Sequence, residues 1–108
     1  MGPTLVRLAW HSSGTYWPNG KFPQGGNGGS NGCRIRFNPE KSWGANAGLH
    51  LAMDFLEPIK TNEITYADLY TLAGAVAIEH MGGPKIAWKC GRVDDADGSK
   101  SGSDGKII

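Results

Sequence analysis

The sequence has few large apolar side chains, and this limits the core that it can bury. Leu, Ile, Val and Phe together number only 20 of its 108 residues, whereas Gly numbers 17 and Pro 6. A chain of this length forms one modest domain at most, and a short chain buries a limited share of its surface. The small core argues against a self-sufficient enzyme.

The chain also lacks an excess of either charge sign. Lys and Arg number 11 and Asp and Glu number 10, which gives a net charge of +1. This balance argues against a dedicated nucleic-acid-binding or polybasic membrane surface. No apolar run approaches the ~20 residues of a membrane span, and no basic segment followed by an apolar one marks a signal peptide. We therefore expect no nucleic-acid partner, no membrane span and no leader.

Cysteine is scarce, and its spacing excludes the common metal motifs. The two cysteines, Cys33 and Cys90, lie far apart in the chain and fit no zinc pattern. We interpret them as free thiols in a reducing compartment, with one long-range disulfide as the alternative.

Apolar periodicity predicts an all-α fold of three helices joined by loops. The predicted helices cover about residues 3–12, 45–57 and 66–81. Thr65 followed by Asp68 resembles a capping box at the start of the third helix, and Gly82-Gly83-Pro84 is a strong stop signal after it. The positions expected to face the core are Leu5, Leu8, Ala9, Gly48, Ala52, Phe55, Leu56, Ile59, Leu69, Leu72, Ala73 and Val76.

Two long segments carry no helical pattern. Residues 15–43 read as a loop, and six glycines fall within residues 18–32. A loop of this length is either functional or mobile, but it contains neither of the glycine motifs that bind phosphate. Residues 85–108 are expected to be irregular and to lack a closing element, so we expect the chain to be part of a larger domain.

Three side chains of the first helix have the types that catalysis uses. Arg7, Trp10 and His11 are spaced i, i+3, i+4 and therefore lie on one side of the helix. Placing a cation and an imidazole beside buried surface is costly unless a polar or anionic group requires them. An ordinary amphipathic helix with Arg and His at its edge is the alternative.

Other polar residues permit two interpretations each. Asn46 is either the N-cap of the second helix or an acceptor for a histidine N–H. Asp68 either assists the helix dipole from the surface or pairs with Arg92. Residues 94–99 partly match a calcium loop but lack the first ligand, so a solvated acidic loop is favoured. His50 and His80 are isolated and are expected to be surface or packing residues.

Several blocks of sequence, in order, resemble a known family. Residues 2–15, GPTLVRLAWHSSGT, are similar to the distal-helix signature of the class I heme peroxidases, the group of ascorbate peroxidase and cytochrome c peroxidase. Residues 44–49, 55–60 and 64–69 continuing to 82–86 are similar to the blocks that follow. Residues 88–94, WKCGRVD, resemble the cytochrome c peroxidase-like and protist hybrid branch. The resemblance covers the chain to about residue 104.

The resemblance implies a fold, a cofactor and a set of site residues. The fold would be the distal, helical half of the two-domain heme peroxidase fold, with a long glycine-rich loop, and the cofactor heme b. Asp68 and Arg92 would form a buried structural ion pair. The implied catalytic residues are Arg7, His11 and Asn46, and the implied cofactor-binding residues are Pro3, Thr4, Val6, Arg7 and Trp10.

The implied reaction is the reduction of hydrogen peroxide by an external electron donor of the ascorbate or cytochrome c type, as a defence against oxidative stress. His11 would move a proton between the peroxide oxygens as a neutral base. Asn46 would fix its tautomer, and Arg7 would stabilise charge on the departing oxygen. The implied compartment is intracellular and reducing: cytosol, plastid or mitochondrion.

The resemblance covers only the distal half, so residues 1–108 are expected to be a partial heme peroxidase domain. The axial ligand of the iron belongs to the other half, and neither His50 nor His80 matches its motif. We therefore expect no metal ligand in this chain and no activity from the chain alone. The alternatives are a truncated, incompetent fragment and a helical interaction domain unrelated to heme.

Overall fold

The computed structural model describes residues 1–22 and 26–107, and within them the fold is helical, as predicted. The α-helices are α1, Gly2–Ser13; α2, His50–Leu56; and α3, Tyr66–His80. Short 3₁₀ turns lie at Arg34–Arg36, Glu40–Ser42, Gly44–Asn46 and Glu57–Ile59. The described ranges contain two isolated β-bridges, Phe22 with Gly26 and Gly32 with Asp94, and no named strand.

Helix α1 agrees with its prediction to within one residue at each end. Pro3 lies in its first turn, where the missing N–H costs no hydrogen bond. At the other end, the N–H of Gly14 donates to the carbonyl of Trp10 at 2.7 Å. The helix receives no side-chain hydrogen bond at its start, so packing contributes most of its stability.

Helix α3 begins with several side-chain hydrogen bonds. The Thr65 hydroxyl accepts from the N–H of Asp68 at 3.1 Å, as the capping-box prediction required. The Asp94 carboxylate accepts from the N–H groups of Tyr66 and Ala67 at 2.8 and 2.9 Å. These acceptors satisfy N–H groups that the helix itself leaves unpaired. Helix α3 ends at His80, one residue before the predicted end.

Helices α1 and α3 pack closely because Gly74 has no side chain. A Cβ atom at Gly74 would lie 2.5 Å from the Cβ of Ala9, which is closer than two carbon atoms approach. The core around this contact contains residues from all three helices and from the loop between α1 and α2. Its members are Leu8, Cys33, Ile35, Leu49, Ala52, Leu56, Ala67, Leu69 and Tyr70.

Four residues predicted to face the core are exposed: Gly48, Phe55, Ile59 and Val76. Phe55, Ile59 and Val76 have exposed fractions of 50%, 54% and 55%. The prediction was wrong for these three because the ends of α2 and α3 do not close against each other within the described residues. They border an apolar groove of about 490 Å³ instead, which Met1 and Leu5 of α1 also line.

The start of α2 was also predicted incorrectly. The helix begins at His50 rather than at residue 45, and residues 44–46 form a 3₁₀ turn. Gly48 separates the two segments with φ +82°. Glycine adopts this left-handed conformation readily, and it cannot occur within a right-handed α-helix. The chain therefore turns at Gly48 before the helix starts.

The segments predicted to be irregular contain no α-helix in the described residues. Residues 15–43 form turns, although residues 23–25 of the glycine-rich segment lie outside the described part. Residues 85–107 contact the glycine-rich segment, because the N–H of Gly32 donates to the carbonyl of Val93 at 2.6 Å. None of the described helices has the length and apolar character that a bilayer crossing requires.

Candidate functional site

The structure brings His11 and Asn46 together across 35 residues of sequence. His11 is 8% exposed, and its Nδ1 lies 2.9 Å from Oδ1 of Asn46. The Asn46 amide is oriented by a second bond, since its Nδ2 donates to the Glu40 carbonyl at 2.8 Å. An amide oxygen only accepts hydrogen bonds, so His11 Nδ1 carries the proton. In a neutral ring, Nε2 is then the basic nitrogen.

Asn46 is not the N-cap that one interpretation of the sequence favoured. It lies in the 3₁₀ turn Gly44–Asn46, four residues before α2, and that helix has no side-chain cap. The amide oxygen of Asn46 bonds to His11 and the amide nitrogen bonds to Glu40, and neither partner belongs to α2. The geometry therefore corresponds to the other interpretation, in which Asn46 accepts from a histidine.

Arg7 is bonded to the same turn as Asn46. Its Nη1 donates to the carbonyl of Ala47 at 2.8 Å, and its Nη2 donates to the carbonyl of Ala45 at 2.7 Å. These carbonyls belong to the residues on either side of Asn46, so one short segment orients both Arg7 and His11 of α1. Sequence reasoning missed these acceptors, because a backbone carbonyl has no signature in the sequence.

Trp10 completes the predicted group on α1. Its indole is 56% exposed, and its centroid lies 4.8 Å from that of the His11 ring, with the planes at 87°. The helical spacing of Pro3, Val6 and Trp10 places them on the side of α1 opposite its contact with α3. Pro3 is exposed, while Thr4 and Val6 are half-buried.

Glu40 is a site-adjacent residue that sequence reasoning did not identify. Its side chain is almost fully buried, and burial raises the pKa of its carboxyl, partly opposed by the Ser101 hydroxyl and by Arg34. Its backbone carbonyl holds the Asn46 amide. Nothing in the segment around residue 40 distinguishes a buried glutamate from a surface one.

Asp68 and Arg92, which the sequence alone did not pair, form an ion pair at the start of α3. Arg92 Nη1 lies 3.0 Å from Asp68 Oδ1, and the carboxylate also accepts from the N–H groups of Gly91 and Arg92. Burial by itself raises the pKa of Asp68, but these hydrogen bonds outweigh it and hold the pKa below its usual value. The pair anchors residues 91–92 to α3.

The acidic segment after Arg92 is structural rather than fully solvated. Asp94 caps α3, and Asp95 Oδ2 accepts from Arg34 Nη1 at 3.1 Å. No group of three potential metal-binding His, Cys, Asp or Glu side chains occurs in residues 1–22 and 26–107. The preference for a solvated loop was therefore wrong for Asp94 and Asp95.

The remaining candidates lie apart from this site. His50 and His80 are both exposed. Both cysteines are free thiols, Cys33 buried and Cys90 exposed, as the sequence predicted. Burial raises the pKa of the Cys33 thiol to about 12, so it stays protonated near neutral pH.

Comparisons with known proteins agree with this architecture. The family model for peroxidases matches residues 1–106. The chain is 56% identical over 108 residues to a protein of Emericella nidulans named as a mitochondrial cytochrome c peroxidase, covering 98% of this chain and 28% of that relative. A putative heme-binding peroxidase of Mycosarcoma maydis is also 56% identical, with 98% and 31% covered. The chain thus spans about a third or less of the length of these relatives.

The chain is helical within the described residues, and the match of the peroxidase model over residues 1–106 defines its class as the helical peroxidases. The chain belongs to the peroxidase family, and its motif blocks are those of the class I heme peroxidases.

The exposed side of α1 fits a heme group. The indole of Trp10 is exposed and can contact a flat aromatic surface. The guanidinium of Arg7 is half-buried and can bind anionic groups. The Nε2 atom of His11 makes no hydrogen bond within the described residues. The resemblance implies that Pro3, Thr4, Val6, Arg7 and Trp10 hold the cofactor, and all five residues lie on α1.

Proposed function

We propose that this chain supplies the peroxide-binding side of a heme-dependent peroxidase that reduces hydrogen peroxide with electrons from an external donor. The observation that carries the proposal is the bond from His11 Nδ1 to Asn46 Oδ1 on the cofactor side of α1. It leaves Nε2 as the basic nitrogen of a neutral imidazole. A base in this state is what peroxide cleavage requires from the protein.

His11 is the group that moves the proton. Nε2 takes a proton from one oxygen of hydrogen peroxide and returns it to the other, which leaves as water. General acid–base catalysis of this kind contributes about 10²–10⁴ in rate. Asn46 keeps Nδ1 protonated throughout, so the ring cannot change to the tautomer that would block Nε2. Heme b, when bound, supplies the iron that exchanges electrons with peroxide.

Arg7 stabilises the charge that develops on the departing oxygen. A guanidinium has five N–H donors, and the bonds to Ala45 and Ala47 engage two of its nitrogens. These bonds hold the group in place beside the site while other donors stay available. A preorganised cation of this kind lowers the energy of a developing anion without reorganisation.

The names of the relatives support a proposal for the electron donor and for the compartment. The relative in Emericella nidulans is named as a mitochondrial cytochrome c peroxidase. We therefore propose cytochrome c as the donor, with a small reductant of the ascorbate type as the alternative. Of the cytosol, the plastid and the mitochondrion, we propose the mitochondrion as its compartment. Its proposed role is defence against oxidative stress.

The variant His11→Leu tests the catalytic proposal. In the full-length, heme-loaded protein it removes the proton acceptor, so we expect the rate of reaction with hydrogen peroxide to fall by about 10²–10⁴. Stopped-flow absorbance measures this rate directly. The matched control is His80→Leu, which removes an exposed imidazole at the end of α3 and is expected to react like the wild type. An unchanged rate in His11→Leu contradicts the role of His11.

The alternative is that residues 1–108 are catalytically incompetent by themselves. The reason for this alternative is that the resemblance covers only the distal half of the peroxidase fold. The axial ligand of the iron would then come from a segment outside this sequence. The purified 108-residue chain is mixed with hemin, and its turnover of hydrogen peroxide is measured against hemin alone. We expect no increase over hemin, and sustained turnover by the chain contradicts this expectation.

A further inference from the structure

A buried polar cluster lies behind Asn46, and Glu40 connects it to the site. The backbone carbonyl of Glu40 accepts from Asn46 Nδ2 at 2.8 Å. On its other side, the Glu40 carboxylate accepts from the Ser101 hydroxyl at 2.6 Å and lies 3.4 Å from Nε of Arg34. Glu40 is 1% exposed. The position of its backbone therefore depends on groups that hold its carboxylate.

Arg34 is the cation in this cluster, and its side chain is 6% exposed. It donates to the carbonyls of Asn31 at 2.7 Å and Gly29 at 3.2 Å, and to the carboxylate of Asp95 at 3.1 Å. Its Nε is fully buried and makes no hydrogen bond in the described part of the chain. The Nε end of the Arg34 guanidinium therefore interacts with Glu40 by charge attraction rather than by a well-aligned hydrogen bond.

The charges of the cluster balance while Arg34 is present. Arg34 faces Glu40 and Asp95, and the partly exposed Lys100 lies 3.8 Å from Asp95. Removing one member of a buried ion pair leaves an uncompensated charge, and the side chain left behind protonates or moves towards water. Without Arg34, the Ser101 hydroxyl is the remaining contact within the described residues that favours the charged form of the buried Glu40 carboxyl. The 3₁₀ turn Glu40–Ser42 would then shift together with the carbonyl that orients Asn46.

We propose that Arg34 is a positioning residue for His11. It clamps Glu40, whose carbonyl orients the Asn46 amide, which in turn fixes the proton on Nδ1 of His11. Within the described residues Arg34 has no hydrogen bond or ion pair with His11 or Asn46, so its proposed effect on them passes through Glu40. The clamp also ties the glycine-rich segment, through Gly29 and Asn31, to residues 95–101. The inference rests on the proposed function, since it concerns the state of the proposed proton acceptor.

The variant Arg34→Gln tests the inference by the tautomer of His11. In the full chain labelled with ¹⁵N-histidine, the ¹⁵N shifts of Nδ1 and Nε2 report which nitrogen carries the proton. We expect the wild type to have Nδ1 protonated. In Arg34→Gln we expect the ratio of this tautomer to the other to fall about fivefold, the factor that corresponds to one hydrogen bond of average strength.

The matched control is Arg36→Gln. Arg36 belongs to the same 3₁₀ turn and donates to the carbonyls of Cys33 and Asp95 at 3.0 and 2.9 Å, but it has no hydrogen bond or ion pair with Glu40 within the described residues. We expect this variant to lose stability and to keep the wild-type tautomer ratio. An unchanged ratio in Arg34→Gln overturns the inference. An equal fall in both variants also overturns it, because general loosening then explains the change.

Two milder variants decide the question if Arg34→Gln does not fold. Arg34→Lys keeps the charge near Glu40, and we expect the tautomer ratio to stay within about twofold of the wild type. Ser101→Ala removes the hydroxyl that also holds the Glu40 carboxylate, and we expect a fall of about two- to fivefold. A wild-type ratio in Ser101→Ala shows that the carboxylate of Glu40 does not control Asn46, which overturns the inference.

The tautomer measurement separates this inference from the proposed function. If His11→Leu in the heme-loaded protein reacts with peroxide at the wild-type rate, the proposed function fails. The ¹⁵N shifts then still show whether Arg34 controls the imidazole. If His11→Leu reacts slowly and Arg34→Gln leaves the ¹⁵N shifts unchanged, the proposed function stands and the role of Arg34 fails.

Discussion

The two sides of α1 are held by different kinds of interaction. One side packs against α3, where Leu8 is fully buried and Ala9 lies against Gly74. The other side carries Arg7 and Trp10, which are half-buried and 56% exposed. The packed side is apolar and close-fitting, whereas the site side is polar and open, and directed hydrogen bonds from Arg7 and His11 reach the turn at residues 44–47.

In α1, the side that packs against α3 contributes mainly to stability, and the side that carries Arg7 and Trp10 belongs to the proposed site. Close packing makes the contact with α3 sensitive to the addition of one carbon atom. The site side has no comparable constraint, because surface substitutions usually change the free energy of unfolding by less than about 0.5 kcal/mol. Variants on the packed side should therefore lower the free energy of unfolding, whereas variants of the exposed Trp10 on the site side should change the chemistry of the site more than the stability.

The variant Gly74→Val is expected to have the largest effect on stability. The Cβ atom that it introduces would lie 2.5 Å from Ala9 Cβ, so the two helices must separate. We expect a loss of about 3 kcal/mol in the free energy of unfolding, at the upper end of overpacking effects. Urea denaturation measures this loss. The control is Gly44→Val, since nothing lies within 4 Å of a Cβ atom at that position, and a comparable loss there contradicts the packing argument.

The variant Asp68→Asn is expected to have an intermediate effect that depends on pH. It weakens the hydrogen bonds and the ion pair that fix Arg92 to the start of α3, and we expect a loss of about 2 kcal/mol at pH 7. Because the folded-state pKa of Asp68 is lowered, its contribution is present above the ordinary pKa of about 3.9 and disappears as the pH falls through the folded-state pKa.

Thermal unfolding of wild type and Asp68→Asn at pH 7 and near pH 3 measures this dependence. The difference in melting temperature should narrow at the lower pH. The exposed Asp54 on α2 provides the control variant Asp54→Asn, which should unfold like the wild type at both values. A difference for Asp68→Asn that stays constant with pH would argue against the lowered pKa.

The variant Trp10→Phe is expected to have the smallest effect on stability. The indole is 56% exposed, and phenylalanine keeps an aromatic ring beside His11, so we expect less than about 0.5 kcal/mol. The same variant should change the absorbance spectrum of the heme-loaded protein if Trp10 contacts the cofactor as proposed. A large loss of stability without a spectral change would mean that Trp10 is a packing residue.

The sequence predicted the parts of the site that lie on a single helix. The i, i+3, i+4 spacing of Arg7, Trp10 and His11 placed them on one side of α1, and the structure confirms their common side. The limits of α1 and α3 were also predicted to within one residue, because Pro3 and Thr65 are local signals at their first turns. In each case the information lies within a few residues of the structure that it determines.

The start of α2 and the exposed apolar residues were predicted incorrectly for a common reason. Helical periodicity around Gly48 resembled a continuous helix, but the backbone turns there with φ +82°. The apolar character of Phe55 and Val76 indicated burial, yet burial depends on which element covers a residue. Periodicity describes a helix alone and contains no information about its neighbours.

Local sequence thus determined the helices α1 and α3, the grouping of Arg7, Trp10 and His11, and the resemblance to the class I heme peroxidases. Tertiary structure alone decided that Asn46 meets His11, that Arg7 binds the carbonyls of Ala45 and Ala47, and that Glu40 is buried against Arg34 and Ser101. The physical reason is that the contacts of Asn46, Arg7 and Ser101 join residues 35 or more apart, and those of Arg7 use backbone carbonyls. Every residue carries such a carbonyl, so only the fold selects which of them bind.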